Sequence, residues 1–117
     1  MPHLIFDCNE EIKSKLSFEK IFTNLHIVLS ELLPTQISSC KSRVVPYSHY
    51  LVGDDENNLF LHLTIKILPG RTTEVKDKAA KKVLEILNRV LIELDMSNVS
   101  ISVEVLDLSA SYLKGSI

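Results

Sequence analysis

The stretch Leu59-Phe60-Leu61-His62-Leu63-Thr64-Ile65-Lys66-Ile67 alternates strongly apolar side chains with mixed ones. Successive side chains of a β-strand point to opposite faces of a sheet, so this period of two predicts a strand with one apolar face. Pro69-Gly70 ends the strand, Thr72 or Thr73 can cap a helix, and Glu74 adds negative charge to its first turn. The stretch therefore predicts a strand, a tight turn and a helix.

The helix predicted after this turn is amphipathic. Its apolar residues recur at intervals of three and four along one side: Val75, Ala79, Val83, Leu84, Leu87, Leu91 and Leu94. A run of lysines occupies much of the remaining surface, which is typical of a solvated helix face. Residues 99–108 alternate again and predict a last strand, followed by a short tail at 109–117. The second half of the chain therefore predicts a β-α-β unit.

The first half repeats this order. Residues 2–8 predict a short strand, and residues 13–33 predict one amphipathic helix that Pro34 terminates. Residues 40–51 predict a second strand. Pro46 lies inside it and cannot donate a ladder hydrogen bond, so we expect this strand to be at an edge of the sheet or bulged.

The two units, at about residues 2–52 and 59–108, predict a single α+β domain over residues 1–117. A polar turn at 53–58 joins them. Each unit brings its two strands parallel through a crossover connection, which gives a four-stranded sheet with two helices on one face. The other face is only partly polar, so we expect several sheets to stack in a symmetric oligomer.

Composition and charge exclude several classes of function. The chain has 117 residues, of which 45% are hydrophobic and 24% charged, with a formal net charge of -2. This balance is ordinary for one globular domain and gives no electrostatic case for binding nucleic acid or an anionic membrane. No apolar run approaches a membrane span, and the N-terminus lacks the features of a signal peptide, so we expect a cytoplasmic protein.

The cysteines and histidines predict no metal or cofactor site. Cys8 and Cys40 are expected at the end of one strand and the start of the next, at opposite edges of the sheet, as free thiols. The four histidines show no close ligand spacing, and the chain has no glycine-rich phosphate loop. We interpret His62 as structural, because no partner for it is evident from the sequence.

Pro2, which directly follows Met1, is the candidate catalytic residue. Aminopeptidases generally cut before small residues such as proline, and removal of Met1 would make Pro2 a secondary amine at the chain end. A free α-amino group titrates near ~7.7 to 8.0, and burial or nearby cations lower that pKa toward neutrality. A base with a pKa near the working pH suits proton-transfer catalysis.

Three features together resemble the tautomerase superfamily: Pro2 at the start of a strand, the duplicated β-α-β units, and Gly70-Arg71-Thr72-Thr73-Glu74 before a helix. The last of these looks like the turn before the first helix in 4-oxalocrotonate tautomerase. Met1-Pro2-His3, Lys41-Ser42-Arg43-Val44 and His62-Leu63-Thr64-Ile65-Lys66 look like the 5-carboxymethyl-2-hydroxymuconate isomerase family.

This resemblance implies a homotrimer of tautomerase or migration inhibitory factor-like fold, with Pro2 as the general base at a subunit boundary. It implies enol-keto isomerisation of a small unsaturated 2-hydroxy or 2-oxo carboxylic acid, without a cofactor. The substrate carboxylate needs cations, for which Lys41, Arg43 and Arg71 are the candidates. Arg71 precedes a helix N-terminus, which favours anions. Lys41 departs from the family's pair of arginines and lacks their bidentate fork.

Two other functions remain open. The first is a non-enzymatic trimeric binding or signalling protein of the migration inhibitory factor type, which the departure at Lys41 slightly favours. The second is hydration, dehalogenation or decarboxylation of a small acid by the same proline. Tyr47, Tyr50 and Phe60 are expected either to line an apolar pocket around Pro2 or to lie in the core or a subunit interface.

Overall fold

The computed structural model describes residues 2–117, and its elements follow the predicted order with one additional helix. In chain order they are β1 (His3–Asn9), α1 (Glu10–Lys15), α2 (Phe18–Leu32), a 3-10 turn (Ile37–Ser39), β2 (Lys41–Tyr47), β3 (Leu59–Ile67), α3 (Thr73–Glu93) and β4 (Val99–Asp107).

The four strands form one mixed sheet in the order β2-β1-β3-β4. β1 is parallel to β2, with His3 opposite Lys41, and β3 is parallel to β4. β1 and β3 are antiparallel, with His3 opposite Lys66. The two parallel pairs confirm the predicted β-α-β units. β2 lies at an edge, as Pro46 predicted, because an edge strand tolerates a residue without an N–H.

This topology gathers several chain segments at one end of the sheet, which we call the Pro2 end. β1 and β2 begin there, at His3 and Lys41, and β3 and β4 finish there, at Ile67 and Asp107. The far end of β1 is Asn9, and at about 3.3 Å per residue it lies roughly 20 Å away. Cys8 lies toward the far end of central β1 and Cys40 at the Pro2 end beside edge strand β2, so the two are at opposite ends of neighbouring strands and not at opposite edges of the sheet. Both are free thiols, as predicted.

The helices cover one face of the sheet and bury the apolar side of the central strands. Alternate residues of these strands form the sheet's part of the core: Leu4, Phe6 and Cys8 in β1, and Leu59, Leu61, Leu63, Ile65 and Ile67 in β3. Leu25 and Leu29 of α2 and Val83 and Leu87 of α3 pack in the same cluster. None of the helices within residues 2–117 is long and apolar enough to cross a membrane.

The single helix predicted at residues 13–33 is wrong, because two helices occupy this region. Leu16 has an extended backbone, with φ -88° and ψ 139°, and separates α1 from α2. Ser17, a residue type that favours the start of a helix, stands at the N-cap position of α2. The gap of five residues between Leu16 and Ile21 does not match a helical repeat and marks the break. Residues 2–117 therefore contain three α-helices, where the sequence predicted two.

The second face of the sheet, which we call the open face, carries the side chains that alternate with the core residues. Those of the central strands are His3, Ile5 and Asp7 in β1 and Phe60, His62, Thr64 and Lys66 in β3. Those of the edge strands include Lys41 and Arg43 in β2 and Ser102 and Glu104 in β4. No helix of residues 2–117 covers this partly polar surface, in agreement with the prediction.

Candidate active site

Pro2 is buried directly before β1, at the end of the sheet that bears its name. Its carbonyl oxygen accepts a hydrogen bond from the backbone N–H of Lys41 at 3.1 Å. This bond fixes Pro2 against the start of β2. Met1, whose removal would free the Pro2 nitrogen, lies outside the described residues.

Three cationic side chains lower the pKa of His3, the residue after Pro2. Arg43 Nη1 lies 3.2 Å from Nδ1 of His3, while Lys41 and Lys66 stand opposite His3 on the two neighbouring strands. Burial lowers the pKa of His3 from its ordinary value of 6.5, and the charges of Arg43, Lys41 and Lys66 lower it further. Burial and positive charge lower the pKa of any amine in the same way.

Hydrogen bonding determines the protonation state of His3. A guanidinium group only donates, so Nδ1 of His3 accepts from Arg43 and carries no proton. The remaining proton is on Nε2, which donates to the hydroxyl oxygen of Tyr112 at 2.9 Å. These contacts, from Arg43 to His3 and from His3 to Tyr112, attach residues 112–116, which we call the C-terminal segment, to the Pro2 end. The sequence analysis did not identify His3 or Tyr112 as site residues.

Lys41 and Arg43 lie together on the open face, because residues two apart in a strand share a face. Both are exposed. Lys41 Nζ donates to the Ser39 carbonyl oxygen at 3.1 Å. Since β2 pairs directly with β1, both cations border the Pro2 end.

Arg71 lies at the same end of the sheet but is bonded to the backbone. Its Nη2 donates to the carbonyl oxygen of Leu33 at 2.7 Å, and its Nη1 donates to that of Leu68 at 3.2 Å. Leu33 ends α2, so Arg71 satisfies a carbonyl that the helix leaves unpaired. Thr72 is the N-cap of α3, as predicted, and its hydroxyl accepts from the N–H of Val75.

Three aromatic residues predicted near Pro2, namely Tyr47, Tyr50 and Phe60, do not surround the Pro2 of their own chain. Tyr47 is opposite Asn9, at the far end of β1. The rings of Tyr47 and Tyr50 lie 6.1 and 5.8 Å from that of Phe60. The predicted pocket around Pro2 is therefore wrong within one chain. The alternative, a subunit interface, stays a prediction.

His62 has two partners that the sequence analysis missed. Its Nδ1 is 2.6 Å from the Ser102 hydroxyl, and its Nε2 is 2.7 Å from a carboxylate oxygen of Glu104. Ser102 stands directly opposite His62 in the parallel pair of β3 and β4. The predicted pairing of these strands was the signal that would have identified both contacts. His62 links the two strands across the open face.

A cavity of about 690 Å³ opens beside the Pro2 end, between the start of β2 and the C-terminal segment. Ser38, Ser39 and Lys41 form one side, and residues 112–116 form the other. Among the described residues, the charged members of this lining are Lys41 and Lys114, and none is acidic. The cavity therefore suits a small anion.

Comparison with known proteins gives consistent relatives. A family model for 5-carboxymethyl-2-hydroxymuconate isomerase matches residues 2–116. A 5-carboxymethyl-2-hydroxymuconate Delta-isomerase from Escherichia coli is 24% identical over 88 residues, which cover 74% of this chain and 70% of that protein.

Solved structures share the fold. A 5-carboxymethyl-2-hydroxymuconate isomerase from Deinococcus radiodurans R1 has a TM-score of 0.83 at 19% identity, over 98% of this chain and 90% of that one. A fused 4-OT, described as a wild type symmetric trimer, has a TM-score of 0.73 at 16% identity, over 95% of this chain and 90% of that one.

We expect acid to destabilise the fold through His3 and His26. Burial lowers the pKa of both, and His26 Nε2 lies 2.6 Å from the Ser42 hydroxyl. The unfolded chain then takes up protons first, so stability falls as the pH drops below 6.5 and through the folded-state pKa values. Thermal unfolding followed by circular dichroism, from about pH 7.5 to about pH 5, measures this slope.

His3→Gln and His26→Gln should each flatten the pH dependence of Tm. His49→Gln is the matched control, because His49 is exposed in the loop after β2. An unchanged slope in both His3→Gln and His26→Gln would contradict the assignment.

Proposed function

The chain belongs to the 5-carboxymethyl-2-hydroxymuconate isomerase family, and we propose that Pro2 is the general base of its enol-keto isomerisation. Family membership makes the protein an isomerase of the tautomerase type. The proposed substrate is a small unsaturated 2-hydroxy or 2-oxo carboxylic acid. The observation that carries the assignment is the burial of Pro2 beside a residue on which three cations act.

The proposed reaction moves one proton. With Met1 removed, the neutral secondary amine of Pro2 takes the proton from the 2-hydroxyl group of the dienol and becomes an ammonium group. The electrons of the broken O–H bond form the carbonyl, and the π electrons of the enol double bond shift along the conjugated chain. There they form a C–H bond with the proton that the ammonium group returns. A retained Met1 would leave Pro2 as a tertiary amide, which has no basic nitrogen.

Arg43 and Lys41 are the proposed carboxylate-binding residues. They lie on the strand beside β1 and on the same face as His3. Their charge would also stabilise the negative charge that develops on the enolate oxygen. Arg43 offers a planar two-bond contact, whereas Lys41 offers a point charge. We propose that Arg71 adds its remaining N–H donors to the same site, near the N-terminus of α3.

We also propose that the protein is a cytoplasmic homotrimer whose chains associate through the open face. Two observations support this: no helix of residues 2–117 covers that face, and the similar fused 4-OT is described as a symmetric trimer. Light scattering should return three times the 13.2 kDa chain mass. A single-chain mass would contradict the proposal.

The proposed role of Pro2 predicts that activity depends on a free N-terminus. An N-terminal extension with a protease site directly before Pro2 should be inactive, because its Pro2 nitrogen is an amide. Cleavage should restore turnover by about 10²-fold or more, the range of a general base. Ketonisation of 2-hydroxymuconate or phenylenolpyruvate, followed by absorbance, measures the rate, and intact mass verifies the chain end.

Pro2→Ala in the cleaved protein is the companion variant. Equal rates for Pro2→Ala and wild type would refute the assignment of Pro2. If the cleaved wild type shows no turnover although it is folded, the alternative of a non-enzymatic trimeric binding protein, which Lys41 slightly favours, would replace the proposal.

Replacing Arg43 and replacing Arg71 should both raise KM but should affect stability differently. Arg43→Ala should raise KM about tenfold with little change in Tm, because the side chain is exposed and its charge serves the substrate. Arg71→Ala should raise KM and also lower the free energy of unfolding by about 1 to 3 kcal/mol, since two backbone carbonyls lose a donor. Arg89→Ala, on the exposed side of α3, is the control. Unchanged KM in both variants would remove both residues from the site.

A further inference from the structure

We propose that the C-terminal segment, residues 112–116, binds the second carboxylate of a dicarboxylate substrate through the Tyr112 hydroxyl and the Lys114 ammonium group. This inference rests on the proposed function, because it assumes that the cavity beside Pro2 holds the substrate. It assigns substrate selection to a segment outside the sheet and the helices.

The orientation of the Tyr112 hydroxyl group follows from its neighbours. Because Arg43 can only donate to His3, the proton of His3 is on Nε2 and points to Tyr112. The hydroxyl oxygen of Tyr112 is therefore an acceptor in this contact, and its own proton remains available. Within residues 2–117, no second group bonds to this hydroxyl. Tyr112 lines the cavity, so its proton can be donated to a bound anion.

Tyr112 is fixed in position by two further contacts. Its ring meets the ring of His3 edge to face, with centroids 5.8 Å apart and an interplanar angle of 81°. Its backbone N–H donates to the Ser109 carbonyl oxygen at 2.9 Å. A donor held in this way loses little conformational entropy when a ligand binds. Tyr112 is therefore a fixed part of the cavity wall.

The charges of the cavity fit a molecule with two anionic ends. Lys41 stands at the start of β2, on the wall formed by the sheet, and Lys114 stands on the wall formed by the C-terminal segment. The volume of about 690 Å³ lies within the range of small-molecule sites, roughly 300 to 1,000 Å³. One carboxylate at Lys41 and the other at Tyr112 and Lys114 would place a negative charge beside the cation of each wall.

This arrangement separates recognition from chemistry. A monocarboxylate would keep its contacts near Pro2 but would leave Lys114 and the Tyr112 proton without a partner. A site built to hydrogen-bond a substrate group discriminates against analogues that lack it. The C-terminal segment is thus a specificity determinant, while Pro2 and its neighbouring cations act on either substrate.

The test compares two substrates in Tyr112→Phe and Lys114→Gln variants of the Met1-free protein. For the dicarboxylate 2-hydroxymuconate, kcat/KM should fall about five- to tenfold in each variant, the loss of one charge-assisted hydrogen bond. For the monocarboxylate phenylenolpyruvate, it should change less than about twofold. Lys78→Gln, on the exposed side of α3, is the matched control.

Equal losses for both substrates, or no loss for either, would overturn the inference while leaving the role of Pro2 intact. If wild type turns over neither substrate, the proposed function fails, and binding decides the inference separately. Calorimetry with the saturated probes adipate and hexanoate should then show weaker binding of adipate alone in the two variants. Equal dissociation constants for wild type and variants, or no binding of adipate by wild type, would overturn it.

Discussion

The register of β1 is the constraint on which the rest of the structure depends. Hydrogen bonding on both sides sets His3 opposite Lys41 in β2 and opposite Lys66 in β3. A slip of one residue would turn Leu4 to the open face and His3 into the core, which burial of apolar surface forbids. The same pairing that buries Leu4 and Phe6 therefore collects positive charge beside Pro2.

The regular elements were largely predictable because their periodicities are local properties of the chain. Alternation identified β3 and β4, and spacings of three and four residues identified α3 and most of α2. The break at Leu16 was missed because α1 has only six residues, too few to show a helical repeat of its own. The chain nevertheless turns there, so that both α1 and α2 pack on the sheet. Tertiary packing, and not local helix propensity, determined where α1 and α2 separate.

Only the site residues that belong to a recognisable sequence motif could be predicted. Pro2 followed from the chemistry of an N-terminal proline, and Lys41 and Arg43 followed from a resemblance. The structure brings all three to one end of the sheet. The contact between His3 and Tyr112 joins residues 109 positions apart, so no sequence period announces it. The backbone contacts of Arg71 were equally hidden, because they join a turn to the end of a distant helix.

The central claim is that burial and neighbouring cations keep the freed Pro2 nitrogen neutral at working pH. ¹⁵N NMR titration of proline-labelled protein, with removal of Met1 verified by mass, measures that pKa directly. The account predicts a pKa below the ~7.7 to 8.0 of an ordinary α-amino group, and a rise when Arg43 is replaced by alanine. A pKa at or above that range, unaffected by Arg43→Ala, would contradict it.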